Sequence, residues 1–243
     1  TNIELEDAQG LKSFDVNGYT LGTTSGYNNS SGTFVSWNWK AGTTSVPSGG
    51  SITPSAVSLS TAAGFGMYKY GGASATSTIA HGLGAAPEII WVKSTSHATN
   101  WQVGSTAMDS TWNNVLYFNL THAQQNEIMF GDTAPTSTVF TLGNASESNG
   151  SGRTYIAYAW TPIKGYSKFG IYSGNNNADG PCIYTGFQPA WVMMKRYDNT
   201  ENWTLYDNKR KGYNPQTFGL RPNQNLAESE YGGVYPSKGI DFL

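Results

Sequence analysis

Apolar and polar residues alternate along this chain in short runs. Val35, Trp37 and Trp39 fall on one face of an extended segment, and Phe34, Ser36 and Asn38 on the other. Ile156, Tyr158 and Trp160 repeat that pattern. Ile89-Ile90-Trp91-Val92 and Trp191-Val192-Met193-Met194 are apolar at every position, which predicts central strands buried on both faces. Turn signals at Asn17-Gly18, Asn149-Gly150 and Asp179-Gly180 separate the runs. Residues 119–130 carry weak helical character and read as a loop with one turn. The pattern predicts an all-β chain built of antiparallel β-sandwich or jelly-roll units.

The pattern also recurs in longer blocks. Tyr19-Thr20-Leu21-Gly22 matches Phe140-Thr141-Leu142-Gly143, and residues 31–39 match 152–160, at a spacing of 121 residues (Trp39 to Trp160). Asn28 and Asn149 share that spacing. This is module X. Residues 87–93 match 189–195, and Asn100-Trp101 matches Asn202-Trp203, at a spacing of 102. Just upstream, Phe65-Gly66-Met67-Tyr68 matches Phe169-Gly170-Ile171-Tyr172 at a spacing of 104. This is module Y. The order X-Y-X-Y divides the chain into a half unit (1–42), a Gly/Ser/Thr/Pro-rich linker (43–64), a complete Y-X unit (65–162) and a second Y-containing unit (163–243). The second unit is completed by residues 1–42 or by a neighbouring subunit, or the protein continues past Leu243. The first residue, Thr1, points to processing or to a piece of a longer protein.

Composition narrows the functional classes. Of 243 residues only 12% are charged, while 14% are aromatic. That combination excludes an intrinsically disordered chain. No run is long and apolar enough for a membrane-spanning helix. The net charge of −2 gives no electrostatic pull on nucleic acid. The basic cluster Lys209-Arg210-Lys211, with Lys195-Arg196 upstream, reads as solvated loop. The single cysteine, Cys182, excludes an intrachain disulfide and reads as a buried, inert thiol at a strand start.

Catalytic signatures are missing. The nucleophile elbow, the P-loop, the dinucleotide fingerprint and the zincin motif are all absent, and His81, His97 and His122 lack metal-like spacing. Asp109, Glu127, Asp132, Asp179, Asp198 and Glu201 could serve a glycosidase only if two faced one cleft, and loop solubility accounts for them equally. Residues 15–18 and 198–202 crowd oxygen ligands as a calcium site would, yet Asx turns explain both. The expectation is therefore no catalytic residue, no metal and no cofactor. Aromatic residues in polar loops are the better binding candidates. Trp112 has no partner in the repeat and stands beside Asn113, while Trp203, Tyr206 and Tyr213 accompany Asp198 further on. Trp101 and Trp203, which repeat, read first as strand packing.

Several phrases resemble a repeat found in bacteriophage structural proteins, especially marine ones. They are residues 13–22 followed by 34–42, then 81–87, 133–140 and 149–155. The resemblance spans residues 13–243. It implies a non-enzymatic structural protein of a virion, in a tail fibre or related appendage, serving assembly and host-surface attachment. It implies homo-oligomers, contacts with other virion proteins and a host-surface glycan as partners, with no nucleic acid or membrane. A cellular adhesin or filament subunit is the alternative, and a virion polysaccharide-binding or depolymerising enzyme is the second.

Overall fold

The computed structural model describes residues 2–177, 179–210 and 217–230. In chain order the strands are β1 (Leu11–Asp15), β2 (Gly18–Leu21), β3 (Ala56–Ser60), β4 (Phe65–Gly71), β5 (Ser77–Ala80), β6 (Ile89–Ser94), β7 (Gln102–Ser105) and β8 (Asn114–Tyr117). They continue with β9 (Gln125–Asn126), β10 (Val139–Leu142), β11 (Thr154–Trp160), β12 (Trp191–Lys195), β13 (Trp203–Asp207), β14 (Phe218–Gly219) and β15 (Ser229–Glu230). Among the described residues helical structure is limited to α1 (Ser25–Asn28), α2 (Ser146–Asn149) and a 3₁₀ turn at Ile128–Phe130. The chain is all-β with antiparallel ladders, as the alternation predicts.

The main sheet runs β3-β4-β11-β6-β7-β8-β9. β11 lies in its interior, hydrogen-bonded to β4 on one side and β6 on the other. Its alternation sorts the two faces. Tyr155, Ala157 and Ala159 are fully buried on one. Ile156, Tyr158 and Trp160 face the other and stay half-buried. Small Ala157 sits between Tyr68 of β4 and Val92 of β6, so the large rings have room to lie over it. Over this face pack β5 and β10, a two-stranded second layer whose Phe140 meets Tyr68 edge-on at 5.7 Å. Trp112, Met129 and Phe130 complete that core. Its buried tyrosines keep their hydroxyls paired: Tyr68 donates to the His81 carbonyl at 2.6 Å, and Tyr70 to that of Ser148 at 2.7 Å. On the opposite face β13 docks through Trp203 against Val103 and Leu116, joined by Met193 of β12.

Four expectations need correction. Residues 43–64 are more than a linker. Val57 and Leu59 alternate inward, and 56–60 form the edge strand β3, paired throughout with β4. Residues 34–39 form no strand despite their alternation, and neither do 169–172. A period-2 pattern requires pairing to a partner edge as well as a buried face, and among the described residues neither segment is paired. Trp191–Lys195 is a strand, but among the described residues it pairs with β13 alone and is half-buried throughout, unlike a central strand buried on both faces. Cys182 is exposed in an irregular stretch. The turn at Asn17-Gly18 is real: Asp15 faces Gly18 across a two-residue hairpin loop. α1 and α2 also lie at the repeat spacing of 121 residues (Ser25 to Ser146).

One buried histidine makes the fold sensitive to acid. His81 is fully buried. Its Nδ1 accepts the Leu83 N–H at 3.1 Å, and its Nε2 faces the Thr136 carbonyl at 3.1 Å, which fixes the neutral tautomer with the proton on Nε2. Burial lowers its pKa, against the opposing bond to Thr136. Folding thus favours the neutral ring. The stability it contributes is complete above the unfolded value of about 6.5 and is lost as pH falls below that toward the folded value. The melting temperature should therefore drop between about pH 7.5 and about pH 5. His81→Gln should shrink that drop, and an identical drop in the variant would rule out His81 as its source.

Candidate functional site

The outer face of the main sheet carries a row of aromatic rings. Trp91 of β6 stacks on Phe118 at 4.6 Å and meets Trp160 of β11 at 4.9 Å. Tyr158 stacks on Trp160 at 6.3 Å and on Trp101 at 6.1 Å. β13 covers one end of the row, where Trp203 meets Phe118 at 5.3 Å. The other end stays open as a groove of about 630 Å³. Ile156 and Tyr158 form its floor, Trp101 and Asn119 one wall, and Ile3 and Glu4 the other.

Each lining residue is held by its neighbours. The Trp101 N–H donates to Asn119 Oδ1 at 2.9 Å, and Asn119 Nδ2 donates to Asn100 Oδ1 at 2.9 Å, so the asparagine pair fixes the wall. The Glu4 N–H donates to the Thr95 carbonyl at 2.9 Å, extending the backbone pairing beyond β6. Lys93 projects from β6 on the same face. It is only 8% exposed, yet its Nζ donates to the Ser94 carbonyl at 2.7 Å and to no carboxylate. The ion pairs among the described residues are Arg196–Asp198, Arg210–Asp207 and Arg210–Glu228. Desolvation pulls the Lys93 ammonium below the usual lysine range. Burial pushes the Tyr158 phenol up, with a smaller push from Glu4. A cation without a counterion among the described residues, beside stacked rings and an amide, suits a ligand with an anionic group and apolar ring faces.

A family profile matches residues 1–243. The chain belongs to the family described as domain of unknown function DUF7483. No curated protein and no solved structure matches it. The family assignment thus carries no residue roles, and the site in this DUF7483 chain rests on its own geometry.

The residues expected to bind are placed differently by that geometry. Trp112 is fully buried, its indole over Gly104 and edge-on to Phe130 at 5.1 Å, with Nε1 donating to Thr106 Oγ1 at 3.1 Å. Its loop turns inward because Asp109 collects the Thr111, Asn113 and Asn114 backbone N–H groups. Desolvation acts against the Asp109 carboxylate, but bonds from Thr111 and Asn114 prevail and hold its pKa low. Asn113 is half-buried beside it. Trp203 is also buried, its Nε1 donating to the Tyr117 carbonyl at 2.9 Å, in keeping with its reading as packing. Tyr206 is buried too. Asp198 is exposed and engaged by Arg196 at 2.8 Å. Tyr213 and Lys211 lie outside the described residues. Arg210 is not solvated loop: its Nε meets Asp207 at 2.7 Å, its NH1 pairs with Glu228, and its NH2 donates to the Phe218 carbonyl at 3.2 Å.

None of the binding candidates among the described residues therefore lines the groove. Trp101 does, although its repetition marked it for packing, and Lys93, Asn119 and Tyr158 carried no sequence signal of binding. Among the described residues no cluster of three or more His, Cys, Asp or Glu side chains is suited to a metal. Asp15 in the first suggested calcium turn accepts from the Thr20 hydroxyl at 2.8 Å, as a hairpin residue does.

Proposed function

We propose that this chain is a non-catalytic structural protein of a bacteriophage particle, in a tail fibre or related appendage. It assembles with copies of itself and with other virion proteins, and it attaches to a host-surface glycan. The observation that carries attachment is the groove of Trp101, Tyr158, Asn119 and Lys93. Stacked aromatic faces suit the apolar face of a sugar ring, and the second N–H of Asn119 Nδ2 suits one of its hydroxyls. Lys93 favours a sugar bearing a carboxylate, as in a uronic acid, because the ligand's charge would neutralise a desolvated ammonium. The phrases at 13–22, 81–87 and 149–155 support the virion setting. A depolymerase would need two carboxylates facing the groove, and Glu4 is the carboxylate among its lining residues. A cellular adhesin would use the same groove, and neighbouring terminase and portal genes would separate the two.

Retention on immobilised uronate-containing and neutral polysaccharides tests the reading. The unaltered chain should bind the acidic series. Trp101→Ala should weaken binding to both series, and Lys93→Met should weaken the acidic one by about tenfold or more, the worth of a charge-assisted hydrogen bond. Failure of the unaltered chain to bind any glycan would remove attachment from the proposal. Absence of the protein from purified particles would remove the virion.

A further inference from the structure

β12 has one edge paired with β13, and its other edge carries no ladder among the described residues. Segment 33–39 is apolar and has no strand partner: Phe34, Val35, Trp37 and Trp39 are each more than a third exposed. In the first complete unit the equivalent strands are joined. β11 lies along β6 with Trp160 opposite Ile89, Tyr158 opposite Trp91 and Ile156 opposite Lys93. The spacings of 121 (Trp160 to Trp39) and 102 (Lys93 to Lys195) carry that register over. They put Trp39 opposite Trp191, Trp37 opposite Met193 and Val35 opposite Lys195.

Two contacts that the spacing does not use agree with it. The Trp39 and Trp191 rings already meet, edge-on, with centroids 5.8 Å apart. The turn leading into 33–39 is also built like the turn leading into β11. Asn28 Nδ2 donates to the Gly22 carbonyl at 2.6 Å, as Asn149 Nδ2 does to that of Gly143 at 2.8 Å.

We infer that residues 33–39 form the strand that closes the open edge of β12, antiparallel and with Trp39 opposite Trp191, within the same chain. The segment is anchored nearby. Trp39 also packs on Phe65 and Trp160, and the Gly42 and Thr43 N–H groups donate to the Leu59 carbonyl. A short tether gives an effective concentration on the order of millimolar, which a second copy at micromolar concentration does not match. Closure removes an exposed aromatic edge that would otherwise pair between molecules.

Cysteine pairs in a Cys182→Ser background test the register. Asn38→Cys with Val192→Cys is the facing pair, and Asn38→Cys with Met194→Cys is two residues out. The facing pair should form an intrachain disulfide about tenfold or more faster, running as a monomer without reductant. Equal rates, or crosslinks only between chains, would overturn the inference. Hydrogen exchange on the unaltered chain provides a readout that needs no variant. Alternate amides of 33–39 should be protected by about a hundredfold, and exchange at the free-peptide rate throughout would refute the strand.

Discussion

Trp112→Ala should lower the unfolding free energy by about 3–5 kcal/mol, near the upper limit for a single truncation. The indole is fully buried, and it fills the space over Gly104, where an added Cβ would lie 2.5 Å from the ring. Removing it opens a cavity bounded by a sheet strand and Phe130, neither of which is free to collapse. The backbone adds nothing to the loss, because the left-handed conformation at position 112, with a φ of 61°, is disfavoured for tryptophan and alanine alike. Trp112→Phe separates the contributions. It keeps a ring in the slot and gives up the Thr106 bond, a loss of about 1 kcal/mol beyond the volume change. Urea unfolding measures both. A loss under about 1 kcal/mol for the alanine variant would mean that the side chain is not in the core.

Asn149→Ala should cost a similar amount, about 3–4 kcal/mol, by a different mechanism. The Asn149 side chain is fully buried. Its Oδ1 accepts the Ala73 N–H at 2.8 Å, while its Nδ2 donates to the carbonyls of Ala75 at 2.7 Å and Gly143 at 2.8 Å. One amide thus ties the segment after β4 to the turn after β10. Without it, the buried Gly143 carbonyl loses a partner, and the Ala73 N–H and Ala75 carbonyl, on exposed residues, must turn to water. Asn149→Asp keeps the acceptor, loses both donors and buries a charge, so it should be no better than alanine. Asn28, at the equivalent position, is exposed, and Asn28→Ala should cost at most about 1 kcal/mol. Thermal unfolding of the three variants side by side checks this order. Equal losses at positions 28 and 149 would contradict the burial difference on which the prediction rests.

The sequence disclosed faces more readily than partners. Alternation in Ile156, Tyr158 and Trp160 identified the face of β11 correctly, because the strand has neighbours on both edges. The same alternation in Val35, Trp37 and Trp39 identified a face without a ladder, since pairing depends on where distant residues lie. The strand at Ala56–Ser60 was hidden by its Gly/Ser/Thr/Pro-rich surroundings, although Val57 and Leu59 carry the period. Trp112 reads as a surface aromatic until Asp109, which turns the loop, and Gly104, which leaves the slot, are considered together. The groove was the least legible. Lys93, Trp101, Asn119 and Tyr158 sit on separate segments, and they converge only because β11 inserts beside β6. Cys182 shows that residue type alone is a poor guide to depth: a small hydrophobe is buried only where a neighbouring layer covers it.

The place of β11 between β4 and β6 has a consequence for synthesis. β4 and β6 precede it by some 60 to 90 residues in the chain, yet they meet only through it. While the ribosome is making the intervening loops, both strands present unsatisfied edges, and the sheet cannot zip until Trp160 has cleared the exit tunnel. Long-range pairing of this kind slows folding and prolongs the exposure of sticky edges. For the pairing inferred at β12 the order is reversed, because residues 33–39 are made before the edge they close. A nascent chain of this protein would therefore need a chaperone most during one interval, from the emergence of β4 to the arrival of β11.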